Sequence, residues 1–184
     1  MMKLTTKDLI LTSLFTALMI AGAFIRIPFP LLPVTLQAMI AAITGLTIGP
    51  RLGALSVIIY TILGLTGIPV FAQGGGITYI FNPSFGFILG FIAGAYVIGK
   101  LSQRSGGSSM AGNIKAALTG LFVIYIIGMI YMLIIIRFYT GNTQVGLWYI
   151  FTSNLPYIIK DVILFTVAAI AAKSVKPLLT KRYS

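Results

Sequence analysis

The feature that most constrains this chain is how far it runs without a charge. Five stretches, 9–25, 27–50, 52–99, 116–136 and 138–159, contain no Asp, Glu, Lys or Arg. About one residue in four is charged in an ordinary soluble domain. Here the fraction is 8% of 184 residues, with 58% hydrophobic. A helix crossing the hydrocarbon core takes about 20 apolar residues, or about 17 at the short limit. The five stretches therefore hold five or six transmembrane helices. They are continuously apolar and do not alternate in ten-residue segments, which argues against a transmembrane β-barrel. The expectation is an all-α integral membrane protein, multi-pass in the cell membrane, forming a single transmembrane domain over 1–184. Six spans are placed at 9–25, 34–49, 52–65, 84–100, 114–136 and 154–173. Lys3 and Lys7 before an apolar run imitate the start of a signal peptide. Because another apolar segment follows and no soluble domain does, the first span is read as retained.

The net charge of +11 invites a nucleic-acid reading, but its distribution points to topology. With both termini cytoplasmic, ten of thirteen basic residues fall inside: Lys3, Lys7, Arg51, Lys100, Arg104, Lys115, Lys173, Lys176, Lys181 and Arg182. Arg26 and Arg137 fall outside and Lys160 within a span, so the count obeys the positive-inside rule. No nucleic-acid partner is expected. The Ser/Gly-rich segment 102–113, "SQRSGGSSMAGN", is expected to be a flexible cytoplasmic connector.

The composition also removes whole classes of chemistry. There is no cysteine and no histidine, hence no thiolate chemistry and no imidazole proton shuttle or metal ligand. Only two acids exist, Asp8 and Asp161, and Asp8 lies outside the first span, so paired-carboxylate catalysis has no second member. No resident cofactor or metal is expected. The glycine run in "QGGGITYIF" (73–81) lacks the Lys and Ser/Thr that a phosphate-binding P-loop requires. This chain is not expected to hydrolyse nucleotide.

Several residues then stand out. The second and third spans are short and joined by "GPR" (49–51), a place for a tilted or broken helix. The outer segments 26–35 and 66–83 mix Pro and Gly with apolar residues. Irregular backbone at membrane depth persists only where protein or a cavity covers it. Gly74, Gly75 and Gly76 permit tight turns and close approach, either to a ligand or to another helix. Gly86, Gly90 and Gly94 share one helix face, which favours packing against a neighbouring helix. Ser13, Ala17 and Ala21 form a second small-residue stripe, open to internal packing or to a partner subunit. In "NLPYIIKDVILF", Asn154 can cap a helix start with Pro156 in its first turn.

Lys160 and Asp161 follow inside the span, where a charge costs about 2.5 to 3.5 kcal/mol on insertion scales. Lys160 can snorkel and Asp161 can form a structural ion pair. As helical neighbours they point about 100° apart, which suits two ends of one ligand better than an ideal pair. Gln37, Gln73, Tyr79, Asn82 and Asn154 add polar groups to the outer third. Phe29, Phe71, Phe81, Phe85, Trp148 and Tyr157 surround them, the composition of a small-molecule site.

The motifs "PVTLQ" (33–37), the block 49–91 and "LPYIIKD" (155–161) resemble the BioY family, the biotin-specific substrate-binding components of energy-coupling factor transporters. The resemblance extends over nearly the whole chain. It implies six membrane helices, a high-affinity biotin site on the outer face, and a complex with a transmembrane coupling subunit and two cytoplasmic ATPases. On that footing Asp161 accepts from the urea N–H, Asn82 or Gln37 lies beside it, and Lys160, with Arg26 in reserve, meets the carboxylate. Gly74, Gly75, Gln73 and Tyr79 belong to the lid or wall of the site, and Ser13, Ala17 and Ala21 to the face that docks the coupling subunit. Competing expectations are the same architecture for another vitamin, a self-sufficient carrier, and an intramembrane enzyme using Lys160 and Asp161.

Overall fold

The computed structural model describes residues 4–29, 32–106 and 109–180. Among the described residues the regular structure is helical, with one very short hairpin. Its elements are α1 (Thr6–Phe24), β1 (Arg26–Ile27), β2 (Val34–Thr35), α2 (Gln37–Leu65), a 3-10 turn (Ile77–Phe81), α3 (Phe85–Arg104), α4 (Met110–Ile134), a π-helical turn (Ile135–Tyr139) and α5 (Leu147–Thr180). All five α-helices are long and apolar enough to cross a membrane. Lys3, Lys181 and Arg182, three of the expected inner cations, lie outside the described residues.

Asp8 is placed inside the first turn of α1 and not before it. Thr5 and Asp8 form a reciprocal cap, the Thr5 backbone N–H donating to Asp8 Oδ2 at 2.9 Å and the Asp8 N–H to Thr5 Oγ1 at 3.2 Å. Such a capping box satisfies two of the orphan donors at a helix start. The inward face of α1 buries Phe15, Met19 and Ala23, while Ser13, Ala17 and Ala21 lie exposed on the other side. These three residues therefore take no part in the internal packing.

The expected break at residues 49–51 is present. Gly49 adopts φ 83°, a conformation open to glycine, and Pro50 follows it. The two arms, 37–48 and 50–65, fold back on one another. A straight helix would separate Gln37 and Tyr60 by about 34 Å, yet Gln37 Nε2 donates to the Tyr60 hydroxyl at 2.6 Å. The corner seats on α3, where a Cβ at Gly99 would lie 2.4 Å from Pro50 N.

The glycine stripe of α3 packs internally: a Cβ on Gly90 would lie 2.8 Å from the Ile124 carbonyl oxygen of α4, and one on Gly94 2.5 Å from the Ile124 side chain. Close backbone approach of this kind substitutes for the hydrophobic drive that lipid does not provide. The core between the helices includes Met19, Leu46, Tyr60, Ile98, Ile124, Met132 and Phe165.

Two expectations differ from the structure in their bounds. Helices α3 and α4 run into the segment 102–113, leaving only 105–109 between them. Their ends are tied by the Ser102 hydroxyl, which donates to Asn113 Oδ1 at 2.7 Å in a buried contact. Polar Ser and Asn at a helix junction can pin it as readily as loosen it. The last helix begins at Leu147 and not at Asn154. Asn154 sits two turns in, fully buried, its Nδ2 donating to the Ile150 carbonyl at 2.8 Å, and Pro156 is accommodated within the helix. Membrane helices tolerate an internal Pro because neighbouring groups re-satisfy the freed carbonyl.

Candidate functional site

A cavity opens where the segment Leu32–Ala38, Ala72 and Tyr79 of the loop 66–84, the first turns of α3, the middle of α4 and the second to fourth turns of α5 meet. Its apolar lining comes from Phe87, Ile88 and Phe91 of α3 and Ile124 of α4. Its polar groups are concentrated on α5: Asn154, Tyr157, Lys160 and Asp161, with Thr35, Gln37, Tyr79, Ser84 and Tyr125 facing them. Positions 154, 157 and 161 recur every three or four residues, which places them on one helix face.

The centre of this constellation is the pair Lys160 and Asp161. Lys160 Nζ lies 2.8 Å from Asp161 Oδ1 and donates to the Thr35 carbonyl at 3.2 Å. The second carboxylate oxygen, Oδ2, accepts from the Tyr125 hydroxyl of α4 at 2.7 Å. Oδ1 is buried and has a charge partner in Lys160 but no aligned hydrogen-bond donor. The ion pair left open for Asp161 is therefore formed with its helical neighbour, although the two side chains leave the helix about 100° apart. Four rotatable bonds in the lysine stem bridge the angle between neighbouring helical positions. Only 4% of Asp161 is exposed. A buried carboxylate needs both charge and hydrogen-bond partners to offset its lost hydration, and the site provides them from three elements.

The rest of the site is held from behind. The Tyr157 hydroxyl donates to the Leu32 carbonyl at 2.7 Å and accepts from the Leu32 N–H at 3.0 Å. Together with the Lys160 contact to Thr35, this ties the hairpin of β1 and β2 down onto α5. Phe29 packs edge-on against the Tyr157 ring at 5.4 Å. Gln37 is fixed by Tyr60, whose own hydroxyl donates to the Val70 carbonyl at 3.3 Å. Tyr79 exchanges a hydrogen bond with Ser84 Oγ at 3.1 Å, and burial pushes its phenol up, so it remains a protonated donor.

Of the residues expected to bind ligand, Gln37, Tyr79, Lys160 and Asp161 line the cavity. Arg26, Gln73, Gly74, Gly75 and Asn82 are not among its lining residues. Asn82 stands one layer back: its Nδ2 donates to Gln73 Oε1 at 2.9 Å, and its Oδ1 accepts from the Ser84 backbone and hydroxyl. Arg26 is exposed on the hairpin, paired in register with Thr35. The glycine run builds the loop itself. Gly74 adopts φ 118° opposite Phe71, and a Cβ on Gly75 would lie 2.3 Å from the Ile68 carbonyl oxygen. Among the aromatics, Phe71 and Phe85 back Tyr79, whereas Trp148 is 75% exposed and Phe81 stacks outward on Tyr139.

Tyr125, Phe87 and Phe91 escaped the sequence reading. For Tyr125 the available signal was a hydroxyl-bearing aromatic inside a charge-free span, on a helix that the α3 glycine stripe brings close. For the two phenylalanines there was none, because apolar residues in an apolar span carry no mark of which face they occupy.

Comparison with known proteins bears on this arrangement. The family model of the BioY family matches residues 1–181. The chain is 34% identical to the "Biotin transporter BioY" of Thermotoga maritima, across 96% of this chain and 99% of that protein. It is 41% identical to the "Probable biotin transporter BioY" of Lysinibacillus sphaericus, across 70% of this chain and 65% of that protein. The crystal structure of the S-component for biotin from an ECF-type ABC transporter superposes with a TM-score of 0.80 at 23% identity, covering 95% of this chain and 96% of that one.

Proposed function

This chain belongs to the BioY family, and we propose that it is the biotin-capturing S component of an energy-coupling factor transporter. It binds biotin from the outer face and releases it through a transmembrane coupling subunit driven by two separate ATPases. The observation that carries this proposal is the Lys160–Asp161 pair at 2.8 Å, set in an apolar and aromatic cavity. Biotin has a cyclic urea, an apolar sulfur ring, an alkyl tail and a carboxylate. Asp161 Oδ1 is an acceptor without an aligned donor, and Lys160 is a donor beside it. Side by side they match the N–H and C=O of one urea edge, which moves Lys160 from the carboxylate end, where the sequence put it, to the head group, and Phe87, Ile88 and Phe91 suit the ring and tail. Arg26, at the hairpin, is left for the carboxylate, with Asn82 acting through Ser84.

The folded-back arms of α2, counted separately, support a reading of six crossings with both termini on one side, and the distribution of basic residues supports the cytoplasmic side of the cell membrane. The exposed stripe Ser13, Ala17 and Ala21 is the face offered to the coupling subunit. Purified wild-type chain is expected to bind labelled biotin one to one, and Lys160→Ala to weaken it at least about tenfold, the equivalent of about 1.4 kcal/mol. Wild-type affinity in Lys160→Ala would remove this residue from the site. Ala17→Trp is expected to keep binding and lose assembly with the coupling subunit. Lost binding with assembly intact would reverse that assignment.

A further inference from the structure

We propose that Tyr125 is a positioning residue: it fixes the plane of the Asp161 carboxylate and so the direction of the oxygen the ligand reads, which gives the site its preference for a head group bearing an N–H donor. This rests on Asp161 facing the ligand head, as argued above. The torsion that turns a carboxylate about its last bond is broad and roughly two-fold, so nothing intrinsic to aspartate decides how the carboxylate plane is set toward the cavity. Lys160 attracts Oδ1 at 2.8 Å, but its ammonium carries three rotatable donors and imposes no plane on the carboxylate. The Tyr125 hydroxyl does, donating to Oδ2 at 2.7 Å. Hydrogen bonds to an ionised acceptor are the short, strong class. A phenolic hydrogen lies near the ring plane, so the orientation of the ring sets the direction of this bond.

That ring is itself clamped. Phe87 of α3 meets it edge-on at 5.6 Å and 79°. Phe87 occupies space that Gly128 leaves open on α4, where a Cβ would lie 2.5 Å from its ring. Three helices thus set the direction of one oxygen: α3 holds Phe87, Phe87 holds Tyr125, and Tyr125 holds Asp161. The consequence is an acceptor of fixed direction in an otherwise apolar pocket, which rewards an N–H at one place and penalises its replacement by a methyl group.

The test compares biotin with biotin methylated on the urea nitrogen, in wild type, Tyr125→Phe, Asp161→Asn and the double variant. Tyr125→Phe keeps the ring and is expected to weaken biotin about tenfold, the scale of a hydrogen bond to a charged group. It is also expected to shrink the ratio of biotin to methylated biotin affinity. That ratio is internal to one preparation and does not move with the fraction of folded protein. In the Asp161→Asn background the same substitution is expected to add less than about twofold, because Tyr125 acts through Asp161. Independent, additive losses, or an unchanged ratio in Tyr125→Phe, would overturn the positioning role. Failure of the wild type to bind biotin at all would instead overturn the proposed function.

Discussion

The two parts of this molecule that look most functional in sequence behave differently in space. The fourth turn of α5 puts Lys160 and Asp161 into the cavity, while the glycine run 74–76 is not among its lining residues and gives the loop its shape. The difference teaches where chemistry sits in a chain with two acids and no histidine. A charge inside a span is costly to insert, so it is held by partners from several elements, here α4, α5 and the hairpin. A glycine run costs little and is spent on backbone geometry: Gly76 N–H donates to the Gly64 carbonyl at 2.7 Å, and Gly75 passes within contact of Ile68.

That contrast is open to attack from both sides. The largest effect is expected from Asp161→Asn, a loss of biotin affinity of about ten- to a hundredfold, since the charge-assisted acceptor goes while the volume stays. Equilibrium binding with labelled ligand measures it, and a wild-type Kd would place the chemistry elsewhere. Next comes Gly75→Ala. Its Cβ meets a backbone carbonyl, so about 1 to 3 kcal/mol of stability is expected to be lost by overpacking. Thermal unfolding in detergent reads this directly. The preference for biotin over its urea-methylated form is expected to persist, and collapse of that preference would show that the loop touches the head group after all. The smallest effect is expected from Gln73→Ala, an exposed residue whose contact is to Asn82. It is expected to stay within about 0.5 kcal/mol, about twofold in Kd.

Much of this arrangement was legible beforehand, for reasons that differ by residue. The spans follow from hydrophobicity alone, and the corner at residues 49–51 from glycine and proline chemistry. Lys160 and Asp161 announce themselves because burying charge in lipid demands a reason. What sequence could not give is direction. The start of α5 was misplaced because Asn154 and Pro156 form a plausible cap, and only packing shows Asn154 buried against Met132, 3.7 Å from its sulfur. Tyr125 was missed because its role depends on a helix 36 residues away in sequence turning Asp161 toward it. The glycine run stayed open for the converse reason: its composition suits a ligand loop and a compact loop equally.

The most direct test of the site is calorimetric titration of the detergent-purified chain with biotin, thiamine and riboflavin, repeated on Asp161→Asn. One-to-one heat with biotin alone, lost or sharply weakened in Asp161→Asn, is the predicted result. Equal binding of biotin by wild type and Asp161→Asn, or binding of thiamine or riboflavin in its place, would contradict the assignment of this cavity to biotin through Asp161.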